Sequence, residues 1–267
     1  MRDLKEKYGK WGMVAGAAEG LGCAFARSLS RYGMDLILVD HQRETLDRVG
    51  VALEQTMGIS TRRLCMDLAA PQSVELLMKV IGETGCRLLI YNAAYSRVKP
   101  FTDTNEEELD RYIQVNMRTP LHLIHAFVAM YRSRPELPKG IILMSSLAGS
   151  WGSNLLGPYG STKAFTQILG ESLHHELRQE GFDVLVSITG ATATPGYLSS
   201  LPADREPPGG VMQPEKVVEE CLDALGKKVY IVPGFKNRLV YFMLTRILPR
   251  SVSIRIMNRA VEKLYRN

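Results

Sequence analysis

The chain has 267 residues, 45% hydrophobic and 23% charged, with a net charge of +5. That suffices for one large α/β domain with a substantial core, and no apolar run approaches the ~18 residues of a membrane span. The charged start "MRDLKEKYGKWG" lacks the apolar stretch of a secretory signal, and Cys23, Cys65, Cys86 and Cys221 form no C-x-x-C pair. Reduced thiols and a cytoplasmic protein are expected, without disulfide or metal framework.

Short apolar runs alternate with amphipathic stretches nearly from end to end. "WGMVAGA" precedes a helical pattern from Gly20 to Tyr32, in which Leu21, Ala24, Phe25 and Leu29 recur at helical spacing. "DLILVD" precedes a polar helix over about 43–57, and "TRRLCMD" a helix after Pro71. Then come "CRLLIYNAA", a long helix from about Glu106 to Tyr131, and "KGIILMSS". A helix running to about Glu180 follows, then "FDVLVSITG", a Pro/Gly-rich loop, the helix "PEKVVEECLDAL" and the strand "KVYIVP". Continuous apolar strands separated by helices mean strands covered on both faces, joined by right-handed crossovers. A three-layer, doubly wound parallel sheet of the Rossmann type is expected over residues 1–234, with residues 235–267 as a helical extension of the same domain. Such sheets bind ligands beyond the carboxyl ends of their strands, so the residues just after each run are the candidates for chemistry.

After the first run, "AGAAEGLG" places Gly16, Gly20 and Gly22 in a strand-to-helix turn. Glycines there let the backbone approach a pyrophosphate, whose charge the helix N-terminus at Leu21 stabilises. Asp40 ends the second run, where a carboxylate can accept both ribose hydroxyls of adenosine and repel a 2′-phosphate. Glu19 adds a second negative charge, and Arg43 stands a few residues on. This balance favours NAD over NADP; a purely local role for Asp40 as a loop cap is the competing reading. Asp67 and Leu68, after the third run, would meet the adenine edge.

Asn92, Ala93 and Ala94 end the fourth run, where small side chains let backbone pass close to a cofactor. The fifth ends in "MSSLAG", and the next helix carries Tyr159 and Lys163. Four residues apart on a helix, these two share a face. Taken in order, Gly16-x-x-x-Gly20-x-Gly22, Asn92-Ala93-Ala94, Asn116, Ser146 and Tyr159-x-x-x-Lys163 resemble the short-chain dehydrogenase/reductase family, over about residues 10–233. The resemblance implies Tyr159 as the acid/base that exchanges a proton with the substrate oxygen, and Ser146, rather than Ser145, as the hydroxyl that hydrogen-bonds that oxygen and holds it near Tyr159. Lys163 would bond the nicotinamide ribose and bring the Tyr159 phenol from its ordinary pKa of about 10 toward neutrality. Asn116 would place its backbone carbonyl on a water leading from Lys163 to solvent. "ITGATATPG" would cradle the nicotinamide through Gly190, Thr192 and Thr194. Ala15, Ala94 and Thr189 stand where the family usually has threonine, glycine and proline; all three are peripheral to proton transfer.

A second Tyr-x-x-x-Lys, Tyr95 to Lys99, lies before Pro100 and is expected in a loop. His122, His125, His174 and His175 lack a partner set at metal spacing and read as surface or interface residues. The stretch "PGYLSSLPADREPPGGVMQP" reads as a lid over the substrate, with Tyr197, Leu198 and Leu201 as apolar contacts and Leu147 below them. In the last 33 residues, eight lysines and arginines accompany one acid, Glu262, and two amphipathic helices meet at Pro249. These helices either lie on a membrane surface or pack on the domain or a partner subunit.

The expectation is an NAD-dependent oxidoreductase interconverting a secondary alcohol and a ketone on a hydrophobic substrate, hydroxysteroid-like or long-chain acyl. A homodimer or homotetramer, with no nucleic-acid partner, is expected by analogy. The competing function is an NAD-sensing binding protein acting through its basic tail on a membrane or protein partner.

Overall fold

The computed structural model describes residues 4–265 apart from 204, 206, 208 and 209; the chain ends and four positions of the expected lid lie outside the described residues. Seven parallel strands form one sheet in the order β3-β2-β1-β4-β5-β6-β7. They are β1 (Trp11–Ala15), β2 (Asp35–Asp40), β3 (Thr61–Cys65), β4 (Leu88–Tyr91), β5 (Lys139–Ser146), β6 (Phe182–Thr189) and β7 (Tyr230–Ile231). The order reverses between β1 and β4, so the crevice above that junction is the topological switch point where ligands bind in such sheets.

The helices are α1 (Leu4–Tyr8), α2 (Gly20–Arg31), α3 (Arg43–Met57), α4 (Ser73–Thr84), α5 (Glu106–Ile113), α6 (Thr119–Tyr131), α7 (Gly157–Glu176), α8 (Pro195–Leu198), α9 (Pro214–Ala224), α10 (Phe235–Phe242) and α11 (Arg250–Tyr265). Alternation along each strand supplies both faces. Val14, Leu36, Leu38 and Ile90 meet Phe25 and Leu29 of α2 and Val217 of α9 in one core. Met13, Ile37, Val39 and Leu89 meet Leu77 of α4 and Leu123 and Phe127 of α6 in the other. The three-layer, doubly wound arrangement is the one the apolar runs imply.

Three boundaries differ from expectation. The helix over 106–131 is broken into α5 and α6 by a π turn, Gln114–Arg118, in which Thr119 N–H bonds the Gln114 carbonyl. The helix α7 stops at Glu176, and a 3-10 turn, Arg178–Glu180, ends on Gly181 with φ 79°. The last strand keeps only Tyr230 and Ile231, because Pro233 and Gly234 (φ 83°) turn the chain away.

The C-terminal pair divides at Pro249, as the sequence suggests, but its two halves behave differently. The helix α11 is tied to the 150–154 loop: Asn154 N–H donates to Asn258 Oδ1 (2.6 Å) and Asn154 Nδ2 to Glu262 Oε1 (2.7 Å). None of the residues of α10 is buried. Among the described residues, no helix is long and apolar enough to cross a membrane.

Candidate active site

The crevice is built first by the glycine turn after β1. Gly16 has φ 78°, and a Cβ there would lie 2.8 Å from the Ala93 backbone. At Gly22 a Cβ would fall 1.7 Å from the Gly16 carbonyl oxygen, so only glycine lets the turn fold back on itself. Asn92 joins β4 to this turn by donating Nδ2 to the Gly16 carbonyl (2.9 Å), while the N–H groups of Asn92 and Ala93 both bond the Ala15 carbonyl. The helix α2 begins at Gly20, and the Glu19 side chain makes no capping bond to its first turn. The first N–H groups of α2 therefore suit an anion such as a pyrophosphate.

Asp40 is buried at the end of β2. Its Oδ2 accepts from Ala18 N–H (3.0 Å) and its Oδ1 from Gln42 N–H (3.1 Å), so it latches β2 to the glycine turn. Asp40 Oδ1 also faces His41 Nδ1 at 3.2 Å, so Oδ2, with Ala18 N–H as its partner, is the oxygen that keeps a lone pair for a ligand hydroxyl. Exposed Asp67 pairs with Arg111 Nη2 at 3.2 Å. Neighbouring Leu68 is buried and receives the Thr119 hydroxyl on its carbonyl (2.6 Å).

Beyond β5, the two serines separate by burial. Ser145 is buried and donates Oγ to the Lys163 carbonyl (2.8 Å), pinning α7 to the strand. Ser146 is half-buried, accepts from Ala148 N–H (3.2 Å) and lies beside the Tyr159 phenol, whose rise in pKa it opposes. Gly149 permits this approach, since a Cβ there would lie 2.7 Å from the Lys163 carbonyl carbon. Lys163 is buried, donates Nζ to the Met144 carbonyl (2.7 Å) and stands 5.6 Å from the Tyr159 ring centroid. Ser146, Tyr159 and Lys163 are thus neighbours.

The titration of this group differs from the expectation that Lys163 draws the phenol toward neutrality. Burial pushes Tyr159 up to about 12, against the opposing effect of Ser146, with the phenols of Tyr112 and Tyr265 adding to the rise. Burial also pushes Lys163 down to about 8. Desolvation outweighs the expected attraction because the Lys163 ammonium is spent on the Met144 carbonyl rather than on the phenol oxygen.

Asn116 sits inside the π turn and is buried. Its Oδ1 accepts from Tyr95 N–H (2.7 Å), and its Nδ2 donates to the Tyr95 carbonyl (2.9 Å) and to Thr162 Oγ1 (3.0 Å). One side chain thereby holds the 92–98 segment against α7. Residue 120 is proline, so the N–H that an α-helix would send to the Asn116 carbonyl does not exist. Tyr95 and Lys99 lie on irregular backbone and both contact Glu108, away from any role as a helical pair.

After β6, Gly190 is covered by Asn237 of α10, whose Nδ2 a Cβ at Gly190 would meet at 2.7 Å. Thr192 folds its hydroxyl onto the Gly190 carbonyl (3.0 Å), and Thr194 accepts from Tyr197 N–H (3.2 Å) as the cap of α8. The Thr194 methyl leans on Gly20, closing this segment over the glycine turn. Leu147 packs with Val186, Ile188 and Val232 rather than standing free in the cleft. Of the lid residues, Leu198 is exposed and Leu201 half-buried, while the buried Tyr197 hydroxyl has no hydrogen-bond partner among the described residues.

Several residues here escape sequence reasoning. Ser145 and Gly149 lie inside a quoted motif, but only packing assigns them to α7. Tyr112, whose hydroxyl accepts from Arg97 N–H (2.8 Å), and Tyr265, 3.4 Å from Ser200 Oγ, carry no local signal, because each reaches the cleft from a remote element. Leu155 takes φ 63°, an unfavourable conformation for a branched side chain, in the loop that α11 grips.

The description "short chain dehydrogenase" is the family model that matches residues 10–203. A 7beta-hydroxysteroid dehydrogenase of Collinsella aerofaciens is 31% identical over 241 residues, covering 88% of this chain and 90% of that one. A very-long-chain 3-oxoacyl-CoA reductase of Schizosaccharomyces pombe is 29% identical over 231 residues, covering 82% of this chain and 66% of that protein. A solved structure from work on 7beta-hydroxysteroid dehydrogenase stereoselectivity superposes with a TM-score of 0.86 at 29% identity, covering 95% of this chain and 98% of that one. Sheet order, glycine turn and motif order agree with these likenesses: the chain belongs to the short-chain dehydrogenase family of oxidoreductases, which use a nicotinamide nucleotide.

Proposed function

We propose that this oxidoreductase uses NAD to interconvert a secondary alcohol and a ketone on a bulky apolar substrate, hydroxysteroid-like or long-chain acyl. The observation that carries the reading is the adjacency of Ser146, Tyr159 and Lys163 beside the crevice. Residues 235–267 act as an extension of the catalytic domain.

The bound nicotinamide nucleotide supplies or accepts the hydride. Gly16, Gly20, Leu21 and Gly22 would hold its pyrophosphate side, and Asp40 would take the adenosine ribose, with Glu19 as a second negative charge against a 2′-phosphate and Asp67 and Leu68 at the adenine. NAD fits better than its 2′-phosphorylated form because the buried Asp40 carboxylate would repel the phosphate. Asn92, Ala93, Ala94, Gly190, Thr192 and Thr194 border the nicotinamide side.

In the reductive direction Ser146 hydrogen-bonds the carbonyl oxygen and Tyr159 gives it a proton. A phenol held at about 12 keeps that proton throughout the neutral range. Lys163 binds the second ribose, and the Asn116 carbonyl, to which Pro120 can donate no N–H, holds the water that reconnects Lys163 to solvent. Tyr197, Leu198 and Leu201 cover the substrate, and Leu147 supports the cleft from below. The relatives named above act on steroid or acyl frameworks, which supports the apolar substrate class. Association into a homodimer or homotetramer is supported by exposed Ile113, Leu121 and Ile168 on α5, α6 and α7. Peripheral contact with a membrane through the C-terminal helices suits an apolar substrate.

Turnover of steroid ketones and 3-oxoacyl thioesters, read by NADH and NADPH absorbance, tests the reading. NADH is expected to be preferred, and Tyr159→Phe to lower kcat by about 10²–10⁴ with NADH binding retained. Preference for NADPH, or undiminished turnover in Tyr159→Phe, would overturn it.

A further inference from the structure

Both C-terminal helices touch the rest of the molecule, α10 through Asn237, Arg238 and Tyr241 on one side and α11 through its bonds to the 150–154 loop. Besides the bonds from Asn154, Asn258 of α11 donates Nδ2 to the Gly152 carbonyl (3.3 Å), and Arg250 donates to the Ser150 carbonyl (3.4 Å). In α10, Tyr241 packs inward against Trp151 and the core, while the apolar side chains of the opposite side face outward. Phe235 is 74% exposed, Leu239 52% and Phe242 53%, at the i, i+4, i+7 spacing of one helix face. The π turn that follows continues the surface with Met243 and Ile247, the latter 56% exposed.

The chain segment that carries this stripe is basic, although Glu220 of α9 pairs with Arg238 at 2.6 Å and neutralises that one cation. Between Asp223 and Glu262 the chain holds eight lysines and arginines and no acidic residue. Lys236, Arg238, Arg246 and Arg250 flank the stripe and are exposed. Beside it, between β7 and α10, lies a groove of about 300 Å³ lined by Lys228, Arg238, Arg246, Tyr230, Tyr241 and Phe242.

A second copy of the chain is a poor occupant. A two-fold contact brings a patch onto itself, and here it would set cations against cations without an acid in the segment to separate them. An anionic lipid surface complements both features: its acyl boundary accepts the apolar stripe and its phosphates meet the flanking cations. We propose that α10 and the π turn after it form a docking surface for anionic membranes, with α11 held back as part of the catalytic domain. The inference rests on the reading of peripheral membrane contact and deepens it by naming the element and the lipid charge; it does not depend on the reaction.

The test is flotation of the full chain with vesicles of phosphatidylcholine alone and of phosphatidylcholine mixed with phosphatidylglycerol. Binding is expected only to the mixed vesicles, weakening as salt is raised. Phe235→Ser with Phe242→Ser is expected to weaken it by about tenfold or more, and Lys236→Glu with Arg246→Glu to do the same. Turnover of a water-soluble ketone with NADH, followed in parallel, is expected to be unchanged in both variants. If the parent binds mixed vesicles and the variants bind them equally well, the stripe is not the anchor, although peripheral contact stands. If the parent binds neither vesicle, both ideas fail, and a halved mass of the Phe variant by light scattering would make the face a subunit contact instead.

Discussion

Burial acts on the two titratable side chains of α7 in opposite senses, and the consequence is measurable apart from catalysis. Lys163 titrates near 10.5 in a free chain and near 8 when folded. Between those values the unfolded chain binds more protons, so this residue makes stability rise with pH there; below about 8 its penalty is at full size, on the order of 3 kcal/mol. Tyr159, raised to about 12, works in a separate window: its contribution holds below about 10 and is lost as pH rises through about 12. Lys163→Met is therefore expected to melt higher than the parent at pH 7, to lose that advantage as pH rises from about 8 to 10.5, and to be inactive. Thermal melts across this range check it, and a gap independent of pH would show that the ammonium is not the penalised group. The i, i+4 spacing made the shared face legible; the direction of the Tyr159 shift was not, because desolvation depends on what surrounds a side chain rather than on what precedes it.

Among the elements, the break between α5 and α6 matters most to the site. Hydrophobic periodicity over 106–131 reads as one helix, since a single π turn displaces the apolar face too little to interrupt the pattern. Within that turn Asn116 satisfies the N–H and carbonyl of Tyr95 and the Thr162 hydroxyl. Asn116→Ala would leave these buried groups unpaired and is expected to cost about 1–3 kcal/mol, read as a lower denaturant midpoint. The glycine turn, by contrast, was legible from its spacing, because backbone crowding at Gly16 and Gly22 leaves few alternatives. Gly22→Ala is expected to abolish nucleotide binding, as its Cβ would fall 1.7 Å from the Gly16 carbonyl; NADH fluorescence titration checks this.

For the whole molecule, the decisive arrangement is the return of α11 over the cleft. Asn258 and Glu262 meet Asn154 across more than a hundred residues of chain, and Tyr265 approaches Ser200 in the lid. Asn258→Ala with Glu262→Ala removes the bonds to Asn154, and KM for an apolar ketone is expected to rise about tenfold while NADH affinity is kept. Steady-state kinetics with each substrate varied in turn would reveal the split; an unchanged KM would mean that α11 does not shape the substrate site.

What the sequence by itself determined is what local physics dictates: strand and helix order from apolar periodicity, parallel layers from strands apolar on both faces, and the nucleotide turn from glycine spacing. The ordered motifs likewise named Asn116, Ser146, Tyr159 and Lys163 as candidates before any contact was visible. Only the tertiary structure decided which serine packs under α7, that burial raises the Tyr159 phenol, and which half of the basic tail stays exposed. Those outcomes are set by groups distant in sequence and close in space, through desolvation and packing that no local pattern records.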